Sequence, residues 1–212
     1  MDEKVAAVLD AYHHLIREER QKPREIPQGG QDRRMRAVGP HTGQLINILA
    51  RSLATPTILE LGTSFGYSGI WLGEAARAAG GRLITMELHD YTSAFARDMA
   101  DKAGLADHID FMVGDAVQMI AELRTGVDFV LVDLWKDLYL PCLKAFHSKL
   151  NPGAIVVADN ISPGRQDVLD YVKAVRVMPD MASISVPVGQ GLEISRYKAS
   201  PNETPVTRQV TG

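Results

Sequence analysis

The chain has 212 residues and a formal net charge of −3, and 45% of its residues are hydrophobic and 23% charged. This balance excludes wholesale disorder, and the near-neutral charge argues against a general nucleic-acid binder. The single cysteine, Cys142, excludes a disulfide framework and a Cys-rich zinc site within one chain. The sequence shows neither a signal-peptide core nor an apolar run of 18 residues, so we expect a soluble, cytoplasmic protein with a single domain.

Two helices are predicted before the first strand. Residues 1–25 place apolar side chains at helical spacing, and prolines and glycines between residues 23 and 30 end that helix. A loop follows as far as about residue 39. Residues 44–53 then form a second amphipathic pattern, which again indicates a helix.

After residue 56, short apolar runs alternate with longer amphipathic stretches. Strands that are apolar on both faces and separated by helices predict an α/β fold of the Rossmann-like, doubly wound type, with a mostly parallel sheet covered on both faces. Two terminal runs, 183–188 and 192–197, flank a glycine-containing turn and predict an antiparallel hairpin, which brings the sheet to seven strands. Residues 199–212 are polar and are predicted to form a flexible tail. The other predicted strands are 57–61, 83–86, 109–113, 127–132 and 154–158, and the predicted helices after residue 56 are 68–79, 91–103, 116–123, 139–150 and 167–175.

The turn after the first predicted strand is rich in glycine, with Gly62 and Gly66 in the segment 60–68. Ligands of open parallel sheets bind at the carboxyl ends of strands, and glycines there allow a ligand to approach the backbone closely. Ser68 is predicted to be the N-cap of the next helix, whose free N–H groups can hold an anionic group. The alternative is a tight turn that only packs helix on strand, and the G-x-G-x-x-G dinucleotide fingerprint is absent.

Acidic residues end the second and third predicted strands. Glu87 lies 25 residues after Gly62, where a carboxylate can accept both hydroxyls of a ribose. Together with the glycine turn it indicates a cofactor that contains a nucleoside. Asp115 can either reach an adenine edge or serve as the N-cap of the next helix.

Polar side chains also end the fourth and fifth predicted strands, Asp133 on one and Asp159 with Asn160 on the other. Neighbouring strands lie about 4.8 Å apart, so these oxygens can converge at the edge of the sheet. Two carboxylates and one amide oxygen form a hard, incomplete donor set that suits Mg²⁺, and no His or Cys joins them to favour zinc. The alternative is that each aspartate only caps the helix after it.

Lys136 follows Asp133 by three residues. Beside a divalent cation and a positive cofactor, like charge would lower the pKa of this lysine and make it a candidate general base for a hydroxyl, although a lysine at such a position is usually only solvated. Trp135 either covers an adenine ring or belongs to the core.

Glu193, within the last predicted strand, either points to solvent or faces the site and accepts a second substrate hydroxyl.

In their order along the chain, these motifs resemble those of the class I S-adenosylmethionine-dependent methyltransferases, and specifically the catechol O-methyltransferase group, over about residues 35–200. The resemblance implies Mg²⁺-dependent transfer of a methyl group from S-adenosylmethionine to one hydroxyl of a catechol-type small molecule. It divides the chain into an N-terminal helix and active-site lid (1–40), a methyltransferase domain (41–198) and the tail (199–212). The motifs are Val38-Gly39, the segment 60–68, Ile84-Thr85-Met86-Glu87, Asp133-Leu134-Trp135-Lys136-Asp137, Ala158-Asp159-Asn160 and Gly191-Leu192-Glu193.

The same resemblance implies a role for each site residue. Lys136 would take the hydroxyl proton, Glu193 would hold the second hydroxyl, and Pro163 would flank the aromatic ring. The implied metal ligands are Asp133, Asp159 and Asn160, of which Asn160 also borders the substrate. The implied cofactor contacts are Val38, Gly62, Ser64, Tyr67, Ser68, Glu87, Leu88, Asp115, Ala116, Asp133 and Trp135.

Three departures from the family pattern bear on the substrate. Leu134 replaces a His, the loop after Asn160 is one residue shorter, and Arg34 stands where a ring-covering Trp would lie. Arg34 and Arg36 would favour an acidic aromatic substrate, and the alternative is that these arginines are only solvated.

Three other functions remain open on the sequence alone. One is methylation of a hydroxylated nucleoside in tRNA, because the basic segment 33–36 could contact nucleic acid. A nicotinamide-dependent oxidoreductase would share Glu87 and the glycine turn but would leave the polar strand ends unexplained. A non-catalytic module would keep only the cofactor pocket. We expect a monomer or homodimer without a nucleic-acid or membrane partner.

Overall fold

The computed structural model describes residues 1–21, 34–162 and 164–198. Its strands are β1 (Thr57–Leu61), β2 (Arg82–Glu87), β3 (Ile109–Val113), β4 (Val127–Val132), β5 (Leu150–Asp159), β6 (Met181–Val186) and β7 (Leu192–Tyr197). Its helices are α1 (Glu3–Gln21), α2 (Pro40–Arg51), α3 (Tyr67–Ala79), α4 (Asp90–Lys102), α5 (Ala116–Glu122), α6 (Tyr139–Phe146) and α7 (Gln166–Val177), with short 3₁₀ turns at Ala106–His108, Lys136–Leu138 and His147–Lys149. The predicted tail and the loop residues 22–33 lie outside the described residues.

The seven strands form one sheet in the order β3-β2-β1-β4-β5-β7-β6. The first five are parallel to one another, and β7 runs antiparallel to both β5 and β6. The predicted doubly wound fold with a terminal antiparallel hairpin is therefore confirmed. Because β1, β4 and β5 are adjacent and parallel, their carboxyl ends meet at one edge of the sheet.

The strands are apolar on both faces because each face packs against helices. In β4, Phe129 and Leu131 belong to one buried cluster, whereas Val130 and Val132 belong to the other. This alternation follows from the two-residue period of a strand. Helix α1 contributes to the first cluster, in which Val5 and Tyr12 are fully buried. Across the described residues, no helix is both long and apolar enough to cross a membrane.

Some element bounds differ from those predicted. Strand β5 begins at Leu150 rather than at residue 154, because Val127 pairs with Leu150 while Phe129 pairs with Ile155, so the extra residues of β5 bulge out of register. Helix α6 ends at Phe146 rather than at residue 150, since a 3₁₀ turn leads directly into β5. Helix α2 begins earlier, at Pro40, a residue type favoured in the first helical turn.

Candidate active site

The turn between β1 and α3 requires glycine at two positions. Gly62 has φ +100° and Gly66 has φ +88°, both in the left-handed region that disfavours other residues. A Cβ on Gly62 would collide with the backbone carbonyl of Asp133, and one on Gly66 would lie 2.6 Å from the Cβ of Ala96. The glycine turn is thus pressed against the end of β4 and against α4.

The prediction that Ser68 caps α3 is wrong. Gly66 occupies the N-cap position in a left-handed conformation, so the helix begins at Tyr67 and has no side-chain cap. The Ser68 hydroxyl is buried and hydrogen-bonds instead to the side chain of Glu60. The glycine turn is also fastened from α1, because the Tyr12 hydroxyl donates to the Phe65 carbonyl at 2.6 Å and His13 Nε2 lies 2.9 Å from the Tyr67 hydroxyl.

The carboxylate of Glu87 is held at the end of β2 by two backbone donors. The Ser64 N–H donates to Oε2 at 2.7 Å, and the His89 N–H donates to Oε1 at 3.1 Å. Ser64 reaches Glu87 from a left-handed conformation with φ +48°, which is unusual for a residue with a Cβ. A carboxylate has about four acceptor positions, so both oxygens of Glu87 keep capacity for further donors such as ribose hydroxyls.

Two large apolar side chains are exposed close to these strand ends. Leu88 is 57% exposed and Trp135 is 56% exposed, so the core alternative for Trp135 is wrong. The Arg36 guanidinium lies 5.0 Å from the centre of a Trp135 ring. Asp115 is the N-cap of α5, where its carboxylate accepts from the Gln118 N–H at 2.9 Å, while its contact with an adenine stays a prediction.

The segment 34–39 lies over the glycine turn. Met35, Arg36 and Ala37 line a small cavity together with the turn residues Thr63, Ser64, Phe65, Tyr67 and Ser68. Val38 packs against the core cluster that contains α1 and α3. The segment that contains Val38 therefore lies beside the glycine turn, while contact of Val38 with a cofactor stays a prediction. Pro163 lies outside the described residues, so its predicted role also stays a prediction.

The polar side chains at the ends of β4 and β5 converge as predicted. Val132 pairs with Ala158, so Asp133 and Asp159 follow at adjacent strand ends. The Asn160 amide donates to Asp133 Oδ1 at 3.1 Å and to Asp159 Oδ2 at 3.0 Å. Asn160 adopts φ +57°, a strained conformation for a non-glycine residue that surrounding contacts must maintain.

The charges of this rim favour a bound cation. Burial raises the pKa of Asp133, and burial together with the neighbouring Asp133 charge raises the pKa of Asp159. The positive charge of Lys136 opposes both shifts but does not cancel them. Within the described ranges, no three His, Cys, Asp or Glu side chains form a metal cluster. The NH2 group of Asn160 is directed at both carboxylates, so the amide would have to turn over to present its oxygen to an ion. With the amide turned, the donors would form an all-oxygen set that fits Mg²⁺.

Lys136 lies at the same rim, and its side chain is only 16% exposed. Its Nζ is 3.5 Å from Asp133 Oδ1 and donates to the Tyr139 hydroxyl at 2.5 Å. Burial lowers the pKa of Lys136, although the charges of Asp133 and Asp159 oppose that shift. The solvated-lysine alternative is wrong, because most of this side chain is covered. The role of Lys136 as a general base stays a prediction.

Glu193 does not join the other predicted site residues. It is fully buried, so the solvent alternative is wrong. Its carboxylate accepts from Arg176 at 2.7 and 2.9 Å, from Ser183 at 2.6 Å and from Ser185 at 2.5 Å. Burial opposes the charged form, but these bonds outweigh it and lower the pKa of Glu193. The predicted contact with a second substrate hydroxyl is therefore corrected, because α7 and β6 supply the donors that occupy this carboxylate.

Glu60 was not predicted as a site residue, and its side chain is fully buried near the end of β1. Thr85 donates to its Oε2 at 2.5 Å, whereas Oε1 has no hydrogen-bond partner among the described residues. Burial raises the pKa of Glu60 to about 7. The available signal was a carboxylate inside an otherwise apolar strand, which is rare unless the charge has a partner or a function.

Comparison with known proteins agrees with this geometry. A family model described as a methyltransferase domain matches residues 59–161. The catechol O-methyltransferase of Sus scrofa is 33% identical over 144 residues, which cover 64% of this chain and 77% of the pig protein. That of Mycobacterium tuberculosis is 32% identical over 153 residues, 68% of each chain. The mouse protein is 35% identical over 64% of this chain, but the match spans only about half, 54%, of the mouse protein's length.

Solved structures show the same fold. The O-methyltransferase TomG from Streptomyces achromogenes, in complex with S-adenosylmethionine, superposes with a TM-score of 0.71 at 24% identity, covering 94% of this chain and 91% of TomG. An O-methyltransferase from Bacillus cereus, in complex with S-adenosylhomocysteine, gives a TM-score of 0.73 at 20% identity and covers 91% of both chains. Taken with the sequence relatives, the chain belongs to the class I S-adenosylmethionine-dependent O-methyltransferases, in the catechol O-methyltransferase group.

Proposed function

We propose that this protein transfers a methyl group from S-adenosylmethionine to one hydroxyl of a vicinal dihydroxy aromatic compound, with Mg²⁺ at the rim formed by Asp133, Asp159 and Asn160. The observation that carries this proposal is the position of the Lys136 amine, 3.5 Å from Asp133 and on the same sheet edge as the glycine turn. The sequence relatives are named catechol O-methyltransferases, which supports the substrate class. Their family leaves the oxidoreductase alternative without support.

The cofactor half of the site uses the ends of β1 and β2. Glu87 is held by two backbone N–H groups and accepts the ribose hydroxyls. The glycine turn lets the cofactor lie against the backbone, where a side chain would block it. Leu88 and Trp135 offer exposed apolar surfaces for the adenine ring.

The substrate half uses the ends of β4 and β5. Lys136 accepts the proton of the reacting hydroxyl, and the O–H electron pair stays on the oxygen. When bound, S-adenosylmethionine would supply the methyl group to that oxygen, and the electron pair of its C–S bond would stay on sulfur. When bound, Mg²⁺ would orient two vicinal oxygens and make the hydroxyl more acidic. Most of the rate enhancement comes from positioning two reactants, an effect that reaches about 7–11 kcal/mol in favourable cases.

A methyl-transfer screen tests the proposal directly. With Mg²⁺, catechols and caffeoyl compounds are expected to react at least about 10²-fold faster than compounds with a single phenolic hydroxyl, since only vicinal oxygens are doubly oriented. Catechols with and without a carboxylate belong in the screen because Arg36 lies over Trp135. Preferred methylation of a tRNA nucleoside, or equal rates for single phenols and catechols, would overturn the proposed substrate class.

Glu87→Gln is expected to weaken S-adenosylmethionine binding by about 10- to 100-fold, the range for losing charge-assisted hydrogen bonds worth roughly 1.5–3 kcal/mol. Turnover at saturating cofactor should change little, because the hydrogen-bond partners of Glu87 are Ser64 and His89 and do not include Lys136. Titration calorimetry measures the dissociation constant. Glu122→Gln, at an exposed acid that ends α5, is the control. An unaltered dissociation constant for Glu87→Gln would show that this carboxylate only ends a strand.

A further inference from the structure

Tyr139 is a fully buried residue whose hydroxyl contacts both Lys136 and the backbone of Asp159. It is the first residue of α6, and its hydroxyl lies between the Lys136 amine and the end of β5. Lys136 Nζ donates to the hydroxyl oxygen at 2.5 Å, and the hydroxyl donates to the Asp159 backbone carbonyl at 2.7 Å. Lys136 Nζ also lies 4.4 Å from the centre of the Tyr139 ring.

The direction of these two bonds is determined by chemistry. A backbone carbonyl can only accept, so the single proton of the Tyr139 hydroxyl is committed to Asp159. The hydroxyl oxygen can then only accept from Lys136. It therefore fixes one N–H of the lysine amine in a defined direction, whether that amine carries two or three protons.

The ring that carries this hydroxyl is itself immobilised. The Tyr171 ring meets it edge to face, with centroids 5.5 Å apart, and Cys142 and Phe146 belong to the same buried cluster. A packed aromatic side chain occupies one rotamer, so its hydroxyl is a rigid reference point rather than a mobile partner. By contrast, Lys136 has four rotatable bonds and would otherwise be free to move within the rim.

Asp133 is the competing partner for the amine. Its Oδ1 is 3.5 Å from Nζ, so the two groups already form an ion pair, although it is longer than the bond from Nζ to the Tyr139 hydroxyl. An amine drawn onto Asp133 would occupy an oxygen assigned to the metal and would turn away from the substrate. The Tyr139 hydroxyl holds Nζ away from that arrangement.

Building on the proposed role of Lys136 as the base, we propose that Tyr139 is a positioning residue whose hydroxyl holds the lysine amine between Asp133 and the substrate hydroxyl. The proton still moves from the substrate oxygen to Nζ, and the phenol of Tyr139 neither gains nor loses one. A residue that only filled the core would need the ring but not the hydroxyl.

Tyr139→Phe tests this directly, because it keeps the ring and removes one oxygen. We expect kcat to fall by about tenfold, while the substrate KM and the cofactor dissociation constant stay within about twofold. Tyr171→Phe is the matched control. It is also a buried tyrosine of the same ring pair, and its hydroxyl has no hydrogen-bond partner among the described residues. That variant should keep kcat within about twofold of the parent.

The deciding measurement repeats Tyr139→Phe in a Lys136→Met background. A positioning residue has nothing left to position there, so the same change should alter the residual kcat by less than about twofold. A purely structural role would reduce kcat in both backgrounds, which would overturn the proposal, as would an unchanged kcat in the parent. Full activity of Lys136→Met alone would instead refute Lys136 as the base, so the two failures are distinguishable.

Discussion

Replacing Lys136 by Met is expected to lower turnover by about 10²–10⁴, the usual contribution of general acid–base catalysis. Methionine keeps much of the side-chain length and removes the amine that lies 3.5 Å from Asp133. Cofactor affinity should change little, because Lys136 is not among the residues proposed to hold the cofactor. Single-turnover kinetics at saturating cofactor measures the loss, and Lys173→Met, at an exposed lysine of α7, is the control.

A comparison of two substrates separates the amine from the metal as the agent of deprotonation. A nitrocatechol has a more acidic hydroxyl than catechol and needs less help to lose its proton. If Lys136 is the base, the nitrocatechol should lose much less rate than catechol in Lys136→Met. Small and equal losses on both substrates would show that Lys136 is not the base.

Removing divalent cations is expected to abolish methyl transfer, and adding Mg²⁺ should restore it. Asp159→Ala should give no measurable transfer even with excess Mg²⁺, because it removes one of only two carboxylates at the rim. Binding of S-adenosylmethionine should stay within about threefold, since Asp159 ends β5 and the proposed cofactor contacts are elsewhere.

Metal binding itself can be followed without any turnover. Mn²⁺ titrated into the parent protein should show one tight site by electron paramagnetic resonance, and Asp159→Ala should lose it. Asp101→Ala, at an exposed acid of α4, should keep it. Full activity of metal-stripped protein would refute the metal assignment, as would Mn²⁺ binding that is indifferent to Asp159.

The sheet was predictable because its signal is local. A strand buried on both faces is a short apolar run, and β1, β3, β4 and β7 have the bounds that these runs predict. Convergence of Asp133 and Asp159 followed from the same reasoning, because the ends of adjacent parallel strands meet. Ser68 was misassigned because Gly66 can adopt a left-handed N-cap conformation that no side-chain pattern announces.

The remaining site contacts join residues that are distant in sequence. Glu193 receives its donors from Arg176, 17 residues away, and from two serines of the neighbouring strand. Because β7 is covered on both faces, alternation along the strand could not show where this carboxylate points. Tyr139 reaches Asp159 across 20 residues of chain, and Glu60 meets Thr85 across 25. Such partners are set by packing of the whole domain.

Glu60 makes folding and protonation interdependent. Its pKa of about 7 in the folded protein exceeds the ordinary 4.5, so the folded state retains a proton that the unfolded chain releases. This group favours the folded state fully below about pH 4.5, and its contribution is lost as the pH rises through 7. The ligand-free fold is therefore weakened at neutral and alkaline pH by the very carboxylate beneath the glycine turn. A cation that bound beside Glu60 would offset that penalty, so its binding would stabilise the fold most at neutral and alkaline pH.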